Sequence, residues 1–212
     1  MSIRIIIYQN NKHHHPMTII TRRLSMYRKL RLGFLISLGI VFLCYGNALS
    51  VDKKQIEALK KKAAQQGDPI AQNDLGLVYL NGDGIPVNYV EAMKWFKKAA
   101  EKHDAKAQNN LGVMYLNGDG VPQNYVEAIK WFTKAAEQGH DNAQYNLGIV
   151  HEQGKGVPEN LMEAYVWYSL AAAQGHKDAK HNLIVIEPKL TSKQIAASQK
   201  KAAALWEKNT NY

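Results

Sequence analysis

The chain has 212 residues, with 27 Lys+Arg against 18 Asp+Glu and a formal charge of +9; 46% of residues are hydrophobic and 21% charged. This composition excludes a disordered chain and a multi-span membrane protein, and the length suits one or two domains with a sizeable core. The single cysteine, Cys44, excludes an intramolecular disulfide framework and any cysteine-cluster metal or iron–sulfur site.

The basic excess is concentrated at the start. Residues 1–50 carry seven basic side chains (Arg4, Lys12, Arg22, Arg23, Arg28, Lys29, Arg31) and no acid, which leaves 20 basic against 18 acidic residues over 51–212. Arg28-Lys29-Leu30-Arg31, an apolar run over 32–45 and the small residues Gly46 to Ser50 read as a secretory signal peptide. Cleavage after Ala48 or Ser50 fits, and the expected location is the periplasm or outside the cell. The apolar run is short for the ~20 residues of a membrane span; an uncleaved anchor over residues 32–49 is the alternative. Residues around Cys44 are too bulky for a lipoprotein signal, and Thr21-Arg22-Arg23 is a poor twin-arginine motif. Translation is expected to start at Met26 or Met17 rather than Met1, so the triplet His13-His14-His15 reads as discarded leader, not as a metal site.

A 36-residue period fills the rest. Leu75-Gly76, Leu111-Gly112 and Leu147-Gly148 share it, as do Pro86, Pro122 and Pro158, and Trp95, Trp131 and Trp167. The units are residues 71–106, 107–142 and 143–178, between a cap helix in 51–70 and a partial repeat with a closing helix in 179–212. Each unit reads as two helices. Helix A is expected to start at an Asp cap (Asp68, Asp104, Asp141) and to bury Ala71, Leu75, Tyr79 and their equivalents. Its mid-helix glycine costs ~1 kcal/mol, which implies close approach by helix B.

The Asn81–Val87 connection is glycine-proline turn chemistry, and lacks the ligand ladder of a calcium loop. Helix B opens on Asn88 with Glu91, a pattern resembling a capping box that recurs at Asn124/Glu127 and Asn160/Glu163. Its Ala92, Trp95, Ala99 stripe predicts a tryptophan column in the core, with Trp131→Ala costing ~3–5 kcal/mol. Ile184 stands in the glycine column of the last helix A. After Pro188, Thr191 and Gln194 open an amphipathic helix carrying Ile195, Ala202, Leu205 and Trp206, with Lys200, Lys201 and Lys208 on a solvated face.

Ala-x3-Leu-Gly-x2-Tyr-x2-Gly-x-Gly-(Val/Ile)-Pro followed by Tyr-x2-Ala-x2-Trp-x3-Ala-Ala-x2-Gly resembles the Sel-1-like repeat family, cousins of the tetratricopeptide repeats, over about residues 60–186. The resemblance implies an all-α, right-handed α–α superhelix: a solenoid of two-helix repeats with capping helices, acting as a protein-interaction scaffold. His103 departs from the interrepeat glycine column; His151 departs from the tyrosine column, which marks the third repeat as the one diverged for a specific role. Disulfide-rich members, some linked to β-lactams, carry a cysteine pair per repeat that is absent here.

No convergent catalytic constellation emerges. The Ser-x-x-Lys matches at Ser50 and Ser198 lack companion motifs, and His176 and His181 are five apart, off one helix face. The chain is expected to be non-catalytic and monomeric, without cofactor, metal or nucleic acid, since no aromatic-basic patch survives removal of the leader. Its partner is expected to be a protein or extended peptide, bound along a concave helix-A face. The resemblance to tetratricopeptide grooves points to three columns: Asn73, Leu77, Leu80; Asn109, Val113, Leu116; and Tyr145, Ile149, Glu152. Replacing Asn73 and Asn109 by Ala should then weaken binding and leave stability within about 1 kcal/mol. The alternative is an envelope protein that binds or hydrolyses β-lactams or peptidoglycan fragments.

Overall fold

The computed structural model describes residues 53–210, so the leader readings, Cys44 and the histidine triplet among them, lie outside the described residues. Within them the chain is a succession of α-helices with no strand: α1 (Lys53–Lys61), α2 (Pro69–Asn81), α3 (Tyr89–Ala100), α4 (Ala105–Asn117), α5 (Tyr125–Glu137), α6 (Asp141–Gln153), α7 (Leu161–Ala173), α8 (Lys177–Ile186) and α9 (Ser192–Thr210). A π-helical turn, Lys62–Gln66, follows α1, and a 3-10 turn, Glu187–Lys189, joins α8 to α9. Helices α2, α4 and α6 are helices A, and α3, α5 and α7 their helices B. Each packs on the next in order, and α9 folds back onto α7. The result is an α-solenoid. No helix among the described residues is long and apolar enough to cross a membrane.

Side chains at the helix starts satisfy the orphan N–H groups. Asp68 accepts from the Ile70 N–H at 3.0 Å and Asp104 from the Ala107 N–H at 2.7 Å. The third cap corrects the sequence reading: Asp141 is the first residue inside α6, and His140 caps it, its Nδ1 accepting from the Ala143 N–H at 3.2 Å. His176 does the same for α8 through the Ala179 N–H.

At the helices B, Asn88, Asn124 and Asn160 accept from the N–H groups of Glu91, Glu127 and Glu163. The reciprocal half of a capping box does not form, because the asparagine N–H groups donate to the carbonyls of Tyr79, Tyr115 and His151, at 2.8 Å each. Those bonds tie each loop back to its own helix A. Glu91 and Glu127 instead pair with Lys94 and Lys130 on the helix surface. The complete box forms only at α9, where Thr191 and Gln194 bond each other both ways.

The glycine column seats aromatic rings. A Cβ on Gly76 or Gly112 would come within 2.5 Å of the Phe96 or Phe132 ring, and one on Gly148 would overlap Tyr168. Phe96, Phe132 and Tyr168 are fully buried. The tryptophans one residue earlier do not form the expected core column. Trp95 and Trp131 are half-buried, with the Lys98 and Lys134 ammoniums 4.2 and 4.1 Å from the ring centroids. Only Trp167 is buried, in the cluster that Ala202 of α9 joins.

Lys201 stays exposed, as expected, and pairs with Glu163 of α7 at 2.6 Å, while the Ser198 hydroxyl donates to the Met162 carbonyl. Trp206 stays 39% exposed. His103 takes φ 63°, the left-handed conformation of Gly67, Gly139 and Gly175. A side chain there costs about 1–2 kcal/mol.

Burial reassigns the large energetic cost from tryptophan to phenylalanine. Phe132→Ala is expected to cost about 3–5 kcal/mol, and Trp131→Ala only about 1–2 because its ring is only partly buried and already meets water. Urea denaturation of the two variants checks the ranking, and the reverse order would restore the tryptophan core.

Candidate functional site

Most of the nine residues expected to line a groove are not on a surface. Eight of them, Asn73, Leu77, Leu80, Asn109, Val113, Leu116, Tyr145 and Ile149, are buried, each no more than 8% exposed. Only Glu152 is half-exposed.

The apolar members fill the gap between a helix A, its helix B and the next helix A. Leu77 and Leu80 pack with Phe96, Leu111 and Met114; Val113 and Leu116 pack with Phe132, Leu147 and Val150. Ile149 and Tyr145 pack with Tyr168 and Ile186.

The asparagines belong to a ladder between repeats. Asn110 Nδ2 donates to Asn73 Oδ1 at 3.0 Å, and Asn146 Nδ2 to Asn109 Oδ1 at 3.0 Å. Both rungs are buried, where a polar group is retained only with a partner. The next position follows the same register: Asn182 of α8 stands near the hydroxyls of Tyr145 and Tyr168. Asn110, Asn146 and Asn182 form a 36-residue column of their own, and that recurrence was the sequence signal that could have revealed the ladder.

Around Glu152 the third repeat is chemically distinct. The Tyr168 hydroxyl donates to Glu152 Oε2 at 2.6 Å. Tyr145 lies 5.7 Å from Tyr168 between centroids and stacks on His176 at 4.4 Å. Burial, then the Asp178 carboxylate, push the Tyr145 hydroxyl up to about 12. Burial also raises Tyr168, assisted by its bond to Glu152. His176 and His151 are lowered by burial, and His176 Nε2 meets Asn142 Oδ1 at 3.2 Å. Among the described residues no group of His, Cys, Asp and Glu could hold a metal ion.

Stacked helix pairs closed by a cap at either end define the class, an α-solenoid of repeats. The Sel1 repeat family matches three times, at residues 69–104, 105–140 and 141–176. The chain belongs to the Sel1 repeat family. A crystal structure of a Sel1 repeat protein from Oxalobacter formigenes is similar at 38% identity and TM-score 0.58, over 69% of this chain and 58% of that one. The structure of c5321, a protective antigen of uropathogenic Escherichia coli strains displaying an SLR fold, matches at 33% identity and TM-score 0.64, over 93% of this chain and 41% of that one. Helicobacter pylori cysteine rich protein B matches at 25% identity and TM-score 0.50, over 63% of this chain and 98% of that one. This chain thus spans less than two thirds of the length of the first two. No curated protein matches it. Sel1 repeat proteins are in general non-catalytic scaffolds for protein interaction.

The ladder reverses the expectation for the asparagine variants. Asn73→Ala removes the acceptor of the buried Asn110 amide and Asn109→Ala that of Asn146, so each is expected to cost about 1–3 kcal/mol. Chemical denaturation reads this directly, and a loss under 0.5 kcal/mol would return these side chains to a solvent-facing role.

The histidine cap carries a pH dependence. Burial holds His140 down at about 4, against an ordinary 6.5. A depressed folded-state value means that the unfolded chain binds the proton more readily. The stability from this cap is therefore complete above pH 6.5 and is lost as the pH falls from there toward 4. The loss by pH 5 is expected to be about 1–2 kcal/mol. His140→Asn keeps a cap without the titration. Thermal unfolding at pH 7.5 and 5.0 should show a smaller drop for His140→Asn than for the parent chain, and equal drops would remove His140 as the cause.

Proposed function

We propose that this chain is an exported scaffold that binds a protein partner along the helix-A side of its repeat array. The observation that carries the reading is the unbroken array itself: three Sel1 repeats in register, closed by α1 and by α8 with α9. Such an array offers an extended surface and stacks each repeat only on its neighbours. The leader over residues 1–50 supports export to the periplasm or beyond, and the near-neutral charge of 51–212 supports a protein rather than a nucleic acid as partner. Of the groove residues proposed from sequence, Glu152 is the one with exposed surface; the other eight lie inside the stack.

Site-specific photocrosslinking in the native host tests both halves. A photoreactive residue at Gln153, beside Glu152, is expected to trap a partner, and one at Lys130, exposed on α5, is not. Adducts from Lys130 alone would overturn the helix-A assignment. The trapped chain should begin at Leu49 or Val51 if the leader is removed, and an adduct retaining residues 32–48 would replace export of a processed chain with anchoring.

A further inference from the structure

Three columns of the repeat change character together in the third copy, and the three replacements meet. Position 152 is apolar in the first two repeats, as Leu80 and Leu116; position 168 is Phe96 and Phe132; position 145 is Asn73 and Asn109. In the third copy these become Glu152, Tyr168 and Tyr145, and the Tyr168 hydroxyl donates to the Glu152 carboxylate at 2.6 Å.

We propose that Glu152, flanked by the Tyr168 and Tyr145 rings, is the subsite that receives a cationic side chain, lysine or arginine, of the bound partner. This rests on the scaffold reading and names the chemistry of the contact.

A carboxylate placed in an apolar column loses hydration and regains it only through charged or multiple hydrogen-bonded partners. The partner of Glu152 is a neutral phenol. The ion pairs among the described residues engage Glu57, Glu91, Glu127 and Glu163, not Glu152. Half-exposed, it keeps access from solvent. The surrounding charge favours a cation. Asp178 and Glu152 both bear on Tyr145, and His176, stacked on that ring, is held toward its neutral form by burial. An ammonium or guanidinium arriving here gains a charge-assisted bond to the carboxylate. The Tyr168 hydroxyl fixes the carboxylate before the cation arrives.

The test uses the full chain and three small amides: Nα-acetyl-arginine amide, Nα-acetyl-lysine amide and the neutral Nα-acetyl-glutamine amide. NMR shifts of amides around Glu152 are expected to saturate with one or both cations and to stay unsaturated with the glutamine compound. Glu152→Gln keeps the acceptor for Tyr168 and should weaken cation binding by about tenfold or more. Glu152→Leu installs the residue of the first two repeats, removes the acceptor of the Tyr168 hydroxyl and should bind no cation while its amide spectrum still shows the folded chain. Equal shifts with the neutral amide, or undiminished cation binding in both variants, would overturn the subsite and leave Glu152 as a terminal brace for Tyr168. A partner trapped at Gln153 whose affinity ignores both variants would retain the scaffold and remove the subsite; cation binding at Glu152 with no trapped partner would do the opposite.

Discussion

A helix A in this chain is covered by its own helix B, which lays an aromatic ring on its glycine, and by the helices A before and after it. Polar side chains on such a helix must find partners inside the stack. Asparagine does so through the Asn110–Asn73 and Asn146–Asn109 rungs. Glutamine does so through a second ladder: Gln72, Gln108 and Gln144 donate to the carbonyls of Ala63, Ala100 and Ala136, and Gln138 and Gln174 donate back to Gln108 and Gln144. These bonds fix the register between repeats, which apolar contacts alone hold less sharply. The first repeat is the exception. Lys102 occupies the place of Gln138, its ammonium bonds the Gly67 carbonyl, and Gln72 Oε1 is left buried without a partner. The missing bond lies where the first repeat meets the N-terminal turn, and His103 adds a strained left-handed residue between the first and second repeats.

The period, the helix boundaries, the turn chemistry and the role of the glycine column were legible in the sequence because each follows from local spacing. The choice between tryptophan and phenylalanine was not. Trp95-Phe96 and Trp131-Phe132 recur together, and which of two adjacent residues points inward depends on the phase of helix B against its neighbours. Size favours tryptophan as the buried residue, but the glycine recess takes the smaller ring. The groove was misjudged for a related reason. Asn73 and Asn109 look solvated when one repeat is considered alone, and the next helix A, which buries them, is invisible at that scale. His140 was legible and missed: Asp141 has the commoner cap chemistry, yet strict column arithmetic from Asp104 lands on His140.

Neighbour-only stacking also explains why the one exposed groove residue sits where it does. The column of Leu80 is closed by residues of α4, and that of Leu116 by Leu147 and Val150 of α6. Glu152 would need the same cover from α8, but α8 ends at Ile186, and the position one repeat on is Pro188, in the 3-10 turn that sends the chain back over α7. The shortened last helix A therefore uncovers the final turn of α6. An apolar residue left there would be an exposed patch; a carboxylate braced by a tyrosine is both soluble and oriented. The stack's ending and its candidate site are thus one feature, and lengthening α8 past Pro188 would be the direct way to close it.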